Sequence, residues 1–205
     1  MTRTGAPFAA AAMTGSRPPA RGHVLVTAAT GALGPAALAL AARGYAVTAL
    51  ARDRPALARL AEGAGPGLCP LAADFADPAL AELLGGAEQV FGRFTGALLY
   101  CPGASSRAVQ LLYERTAGPR TVRLLTSAWA EPPADRPTAL PRRPPRNPAG
   151  VRTLLLGWHV LPDGRGTRWH SPQELSDAAL ELFDASGVET QNLGEVRPWT
   201  DRPAI

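Results

Sequence analysis

The chain has 205 residues, enough to bury one substantial core, and 46% of them are hydrophobic, the share of an ordinary globular domain. All 21 basic residues are arginine, so any chemistry that needs a lysine amine is excluded. The net charge of +4 is spread along the chain except at Arg142, Arg143 and Arg146, and with aromatics at only 6% no basic stacking surface is expected, which argues against nucleic acid as a partner.

The cysteines, Cys69 and Cys101, form neither a CxxC pair nor a Cys/His cluster. No metal is expected, and both thiols are read as reduced, as in a cytoplasmic protein. Residues 1–21 lack the apolar run of a secretory signal and are read as a flexible extension before a single domain over 22–205. No stretch has the length of a membrane span, so no membrane partner is expected. Homo-oligomerisation stays open.

From His23 onward the pattern is regular. HVLVTAA reads as a buried strand, and GALGPAALALAARG as a helix closing on Gly44. YAVTALAR is a second strand and RPALARLAEG a second helix, with Pro55 in its first turn. GLCPLAADF is a third strand, and DPALAELLGG a third helix with Asp77 placed to cap it and Pro78 following. FTGALLYC, SSRAVQLLYERTAG and TVRLLTSAW continue as strand, helix and strand. Strands that are apolar throughout and alternate with helices form a parallel sheet covered on both faces.

The alternation then stops. Seven prolines between Pro132 and Pro148 prevent a helix, and a Pro-rich loop is expected between strands five and six. VRTLLLGWHV reads as one strand. SPQELSDAALELFDASG reads as a helix with Ser171 as N-cap, Pro172 next, Glu174 closing a capping box and Gly187 as the stop. VETQNLGEV is the last strand, giving a doubly wound α/β sheet of about seven strands.

VTAATGALG, Val26 to Gly34, joins the first strand to the first helix. Backbone N–H groups at such a turn, with the helix amino end behind them, suit a pyrophosphate. Gly31 and Gly34 have the spacing for close approach and for helix–strand packing. Ala28 stands where glycine would most easily allow an unusual backbone angle, and its methyl is tolerable if φ there stays negative.

This stretch resembles the TGxxGxxG turn of the short-chain dehydrogenase/reductase superfamily, particularly its extended and atypical members, which have a Rossmann-like fold. The resemblance implies that Thr27, Thr30, Gly31, Leu33 and Gly34 serve cofactor binding. Arg52, at the end of the second strand, suits the 2′-phosphate of NADP, while Asp53 beside it keeps NAD open. Asp74 and Phe75 of ADF match the superfamily's adenine-edge position. CPGAS, with Cys101 and Gly103, stands where an NAG-like motif would lie, without the asparagine.

The superfamily's catalysis usually rests on Ser, Tyr and Lys. Ser127 has the matching place on the fifth strand, but no tyrosine follows Tyr113 and no lysine exists, so the Tyr–Lys pair is excluded. The carboxyl-terminal third, from VRTLLLGWHV through RWHSPQEL to GEVRPWTDRP, is similar to a group of small bacterial short-chain dehydrogenase-like proteins that also lack the YxxxK-bearing helix, here replaced by the Pro-rich loop.

A ligand at the carboxyl ends of the strands would meet Tyr100, Cys101, Thr126, Ser127, Trp158 and His159 in one crevice. Ser127, His159 and Tyr100 are the candidate catalytic residues, with His159 as a proton donor at neutral pH. Trp158, Arg168 and Trp169 are candidate substrate contacts, Arg168 holding an anionic group. Cys101 reads also as a small buried hydrophobe, and Tyr113 as packing.

The expected function is NADP(H)-dependent reduction of a small organic substrate in a biosynthetic pathway. One alternative is a non-redox cyclase, isomerase or dehydratase on the same scaffold. Another is a nucleotide-sensing or partner-binding protein without catalysis.

Overall fold

The structure, a computed structural model, describes residues 21–116, 118–129 and 147–203. The amino-terminal extension and nearly all of the proline-rich segment lie outside these residues. Among the described residues, seven parallel strands form one sheet: β1 (His23–Thr27), β2 (Ala46–Ala51), β3 (Leu68–Ala72), β4 (Phe94–Tyr100), β5 (Thr121–Thr126), β6 (Arg152–Leu156) and, after a hairpin, β9 (Thr190–Leu193). Their order is β3-β2-β1-β4-β5-β6-β9. The reversal between β1 and β4 is the switch point of a Rossmann-like doubly wound sheet.

Among the described residues, five α-helices cover the faces: α1 (Gly34–Ala42), α2 (Arg54–Ala64), α3 (Leu80–Phe91), α4 (Ser106–Thr116) and α5 (Pro172–Asp184). Because side chains alternate across a strand, β1 sends Val24 and Val26 into one core and Leu25 into the other. The first core takes Ala37 and Leu40 of α1, Leu57 of α2 and Phe183 of α5. The second takes Leu84 of α3 and Leu112 of α4. A buried strand with both faces apolar shows no alternation of polarity, which is why these strands read as continuous apolar runs.

Helix signals are met with adjustments at the start of α3 and at the end of α5, which stops at Asp184 with Ala185 as its C-cap, ahead of Gly187. Ser171 and Glu174 form the reciprocal capping box at α5. Asp77 does not cap α3 directly: its carboxylate accepts from the Ala79 N–H at 2.8 Å, closing a turn from which the helix leaves at Leu80. Proline at 78 thus sits in that turn rather than inside the helix.

VRTLLLGWHV is not one strand. It divides at Gly157 into β6 and β7 (Trp158–Val160), and β7 pairs antiparallel with β8 (Thr167–Trp169) in a separate two-stranded hairpin. Gly157 marks the break because a Cβ there would lie 2.0 Å from the Glu195 carbonyl oxygen. The chain can leave the sheet so close to its neighbour only without a side chain.

His23 is fully buried at the foot of β1. Its Nδ1–H donates to the Gly92 carbonyl, and Nε2 accepts from the Thr48 hydroxyl, both at 2.8 Å. Burial holds its pKa below the ordinary histidine value, so the unfolded chain takes up the proton first. The stability this ring contributes is present above about pH 6.5 and is lost as pH falls through the folded pKa. The melting midpoint is expected to drop between about pH 7 and pH 5, and to drop less in His23→Gln. Equal slopes in the two proteins would assign the linkage elsewhere.

Candidate active site

A cleft of about 930 Å³ crosses the carboxyl ends of β1 to β4. It opens where α1 and α4 leave the sheet toward opposite cores. Thr27 ties the two strands there: its hydroxyl accepts from the Tyr100 N–H at 2.8 Å and donates to the Tyr100 carbonyl at 3.0 Å. Thr27 is buried, as is Leu33, whose side chain belongs to the first core. These two residues of the turn shape the cleft from beneath instead of lining it.

The wall next to β1 is formed by Ala28, Thr30 and Gly31. Ala28 has φ +51°, in the left-handed region, so the condition of a negative φ, under which its methyl is tolerable, is not met. The reason lies in the turn: the Ala28 carbonyl accepts from the N–H groups of Gly31 at 3.1 Å and Leu33 at 3.3 Å, which fixes its orientation. Gly34 is demanded by packing, since a Cβ would sit 3.0 Å from the Ala29 carbonyl oxygen. Gly31 is different. A Cβ there would find only the Ala28 oxygen, at 4.0 Å, so the bare backbone serves the cleft rather than the fold. Behind it, α1 begins with no side-chain cap and no acidic residue in its first turn, leaving its amino end electropositive. This arrangement fits a pyrophosphate.

Beyond β2, Arg52 and Asp53 line the rim. Asp53 is the N-cap of α2, its carboxylate accepting from the Ala56 N–H at 2.9 Å. Arg52 has a side chain 83% exposed and lies 3.9 Å from Asp74 through Nε, a loose surface pair that leaves the guanidinium able to turn to a ligand. Asp74 is held by the Ala76 N–H at 2.8 Å, and Phe75 beside it completes the β3 end of the cleft.

Tyr100 and Gly103 line this cleft and also a second chamber of about 400 Å³ between α4 and the ends of β4 and β5. Cys101, Thr126 and Trp129 line only the second. Burial pushes the Cys101 thiol up to about 11 against the opposing influence of the Thr27 hydroxyl and the Arg123 charge, so it stays a neutral thiol. Burial also raises the Tyr100 phenol.

The remaining expected site residues are not brought to this place. Ser127 stands at the end of β5 but is 1% exposed, borders neither cavity, and its Oγ has no hydrogen-bond partner among the described residues. His159, Trp158, Arg168 and Trp169 lie in the β7–β8 hairpin and line neither cavity. The single crevice expected for them with Tyr100 is corrected accordingly, because β7 leaves the sheet at Gly157. Trp158 is 1% exposed and packs edge-on to Trp169 at 6.4 Å. Arg168 forks onto Glu174 with two 2.7 Å hydrogen bonds, so its charge already has an anion. The guanidinium and the Ser171 N–H hold the Glu174 carboxyl far below the usual range. His159 faces the ring of His170 at 6.1 Å.

The structure adds a cluster that sequence reasoning missed. Tyr113 of α4 and Arg123 of β5 line the second chamber. The Tyr113 hydroxyl donates to Asn147 Oδ1 at 2.9 Å, and Arg123 donates to the same oxygen at 3.3 Å. Asn147 Nδ2 donates to the Thr153 hydroxyl at 2.7 Å. The helical spacing of Tyr113 indicated only an inward face, and nothing local in the sequence joined it to an asparagine 34 residues later.

No family model and no curated protein matches the sequence. Among solved structures, the chain is similar to a metagenomic short-chain oxidoreductase in complex with NADP, with 17% identity over 84% of this chain and 96% of that one and a TM-score of 0.59. It is similar also to the 3-ketoacyl-(acyl-carrier-protein) reductase of Brucella melitensis complexed with NADH, at 16% identity, coverage of 85% and 97%, and TM-score 0.58. A third is the NADPH-dependent reductase YwfH involved in bacilysin biosynthesis, at 14% identity, coverage of 84% and 97%, and TM-score 0.61.

Proposed function

We propose that this chain, whose fold is that of the short-chain dehydrogenases/reductases, is an atypical member of that superfamily that binds NADP(H) and reduces a small organic substrate. The observation that carries the reading is the cleft at the switch point, with bare Gly31, the uncapped end of α1 and exposed Arg52 on its walls. The first two suit a pyrophosphate, and Arg52 suits a 2′-phosphate better than a ribose hydroxyl. Asp53 Oδ1 is engaged as the cap of α2, which supports the same preference. When bound, the reduced nicotinamide would supply the hydride. The chain would orient it from the β1 turn and the β4 end, and would do so without a Tyr–Lys pair.

A biosynthetic role in the cytoplasm is part of this proposal. No described helix is long and apolar enough to cross a membrane.

The test is a paired titration of the purified protein with NADPH and NADH, followed by fluorescence or calorimetry. NADPH is expected to bind at least about tenfold more tightly, the scale of a hydrogen bond to a charged group. Equal affinities would move the assignment to NAD. No binding of either would transfer the reading to a non-redox enzyme on this scaffold, an outcome that alanine in place of the first turn glycine would suit.

A further inference from the structure

We infer that Ser176 of α5 is a positioning residue for the β1 turn: by donating a hydrogen bond to the Ala32 carbonyl it holds the turn in the shape that receives a pyrophosphate. This rests on the dinucleotide-binding reading above.

Ser176 lies on the inward face of α5 and is fully buried, in a run with Ala178, Ala179 and Leu180. A hydroxyl in such surroundings is costly unless it is bonded. A serine inside a helix has the carbonyl of its own preceding turn within reach, here that of Pro172. Ser176 donates instead across the interface, 3.2 Å to the Ala32 oxygen, 144 residues away in the chain. Ala32 directly follows Gly31, whose bare backbone forms the cleft wall. The helix is tied to α1 at its other end as well, where Asp184 pairs with Arg43 at 2.8 Å.

The bond matters because of what it holds. Among the described residues, the other hydrogen bonds of residues 30–33 stay inside the stretch 28–37. The N–H groups of Gly31 and Leu33 donate to the Ala28 carbonyl, that of Gly34 to Gly31, and that of Ala37 to Leu33. Ser176 is therefore the hydrogen-bonded hold on this turn from elsewhere in the described fold. The Ala32–Leu33 peptide is planar, so a donor on its carbonyl and an acceptor on its N–H together set its orientation. The N–H groups of Thr30 and Ala32, on either side of Gly31, donate to no described residue and are the ones left for phosphate oxygens. A turn held in this way need not be ordered by the ligand, which favours binding.

The experiment compares the full-length parent with Ser176→Ala, which removes the donor and suits a helix. NADPH, NADH and, at millimolar concentration by NMR, 2′-AMP are titrated against each. Both dinucleotides are expected to lose about three- to tenfold in affinity, the scale of one hydrogen bond, and by equal factors because they share the pyrophosphate. Arg52 would act on NADPH alone. 2′-AMP carries the adenine and the 2′-phosphate but no 5′-phosphate, and is expected to hold its affinity within about twofold. A general loosening of the fold would weaken all three alike. Where the parent shows no 2′-AMP binding, equal losses for NADPH and NADH sustain the role and unequal losses overturn it. Ser176→Cys keeps the size of the side chain with a weaker donor, and carries the same test if the alanine variant does not fold.

Unchanged dinucleotide affinity in the variant, or an equal loss for 2′-AMP, overturns the role of Ser176 and leaves the cofactor reading standing on the parent's own binding. Failure of the parent to bind either dinucleotide overturns that reading, and this role with it.

Discussion

Arg52→Asp is expected to weaken NADPH binding by roughly ten- to a hundredfold, the scale of a charge-assisted phosphate contact, and to leave NADH binding nearly unchanged or improved. The side chain is 83% exposed and makes only a loose contact with Asp74, so its replacement removes no packing and little intrinsic stability. An aspartate in its place would repel a 2′-phosphate and could accept from a ribose hydroxyl. Paired titrations with the two cofactors measure the difference directly. Equal loss for both would show that Arg52 serves the common part of the dinucleotide, and no loss for either would remove it from the site.

Ala28→Gly is expected to stabilise the fold by about 0.5–1 kcal/mol and raise the melting midpoint by about 1–4 °C. The parent alanine is held at φ +51°, where an L-residue with a Cβ is about 1–2 kcal/mol less favourable than in the right-handed region. Glycine relieves this but adds about 0.5–1 kcal/mol of backbone entropy to be lost on folding, and the balance favours the substitution. NADPH affinity is expected to hold or rise, because Ala28 lines the cleft and only a methyl leaves it. A lower melting midpoint would show that the methyl contributes packing greater than the backbone strain. That result without NADPH binding in either protein would favour the non-redox reading.

Helix and strand identity was legible in the sequence because it is set by neighbours. Apolar strands bounded by glycine and proline turns, and the Ser171–Glu174 capping box, are local patterns whose physics acts within a few residues. Their alternation led to the parallel order, because a parallel pair needs a crossover, and the sheet has that order. The β1 turn was legible for the same reason, as were Arg52 and Asp74 at the ends of their strands, which lie together at the cleft.

What the tertiary structure alone decided was where chain segments meet or part. Gly157 gave no local sign that the Glu195 backbone would press against it, so the departure of Trp158, His159, Arg168 and Trp169 from the crevice was hidden. The φ of Ala28 depends on two hydrogen bonds to its own carbonyl that exist only in the closed turn. Tyr113 gains its partners from β5 and from Asn147, brought beside α4 only when the sheet assembles. Local propensity and periodicity fix which face of an element is buried. Which polar groups meet on that buried face depends on contacts between residues far apart in the chain, and those exist only once the elements pack.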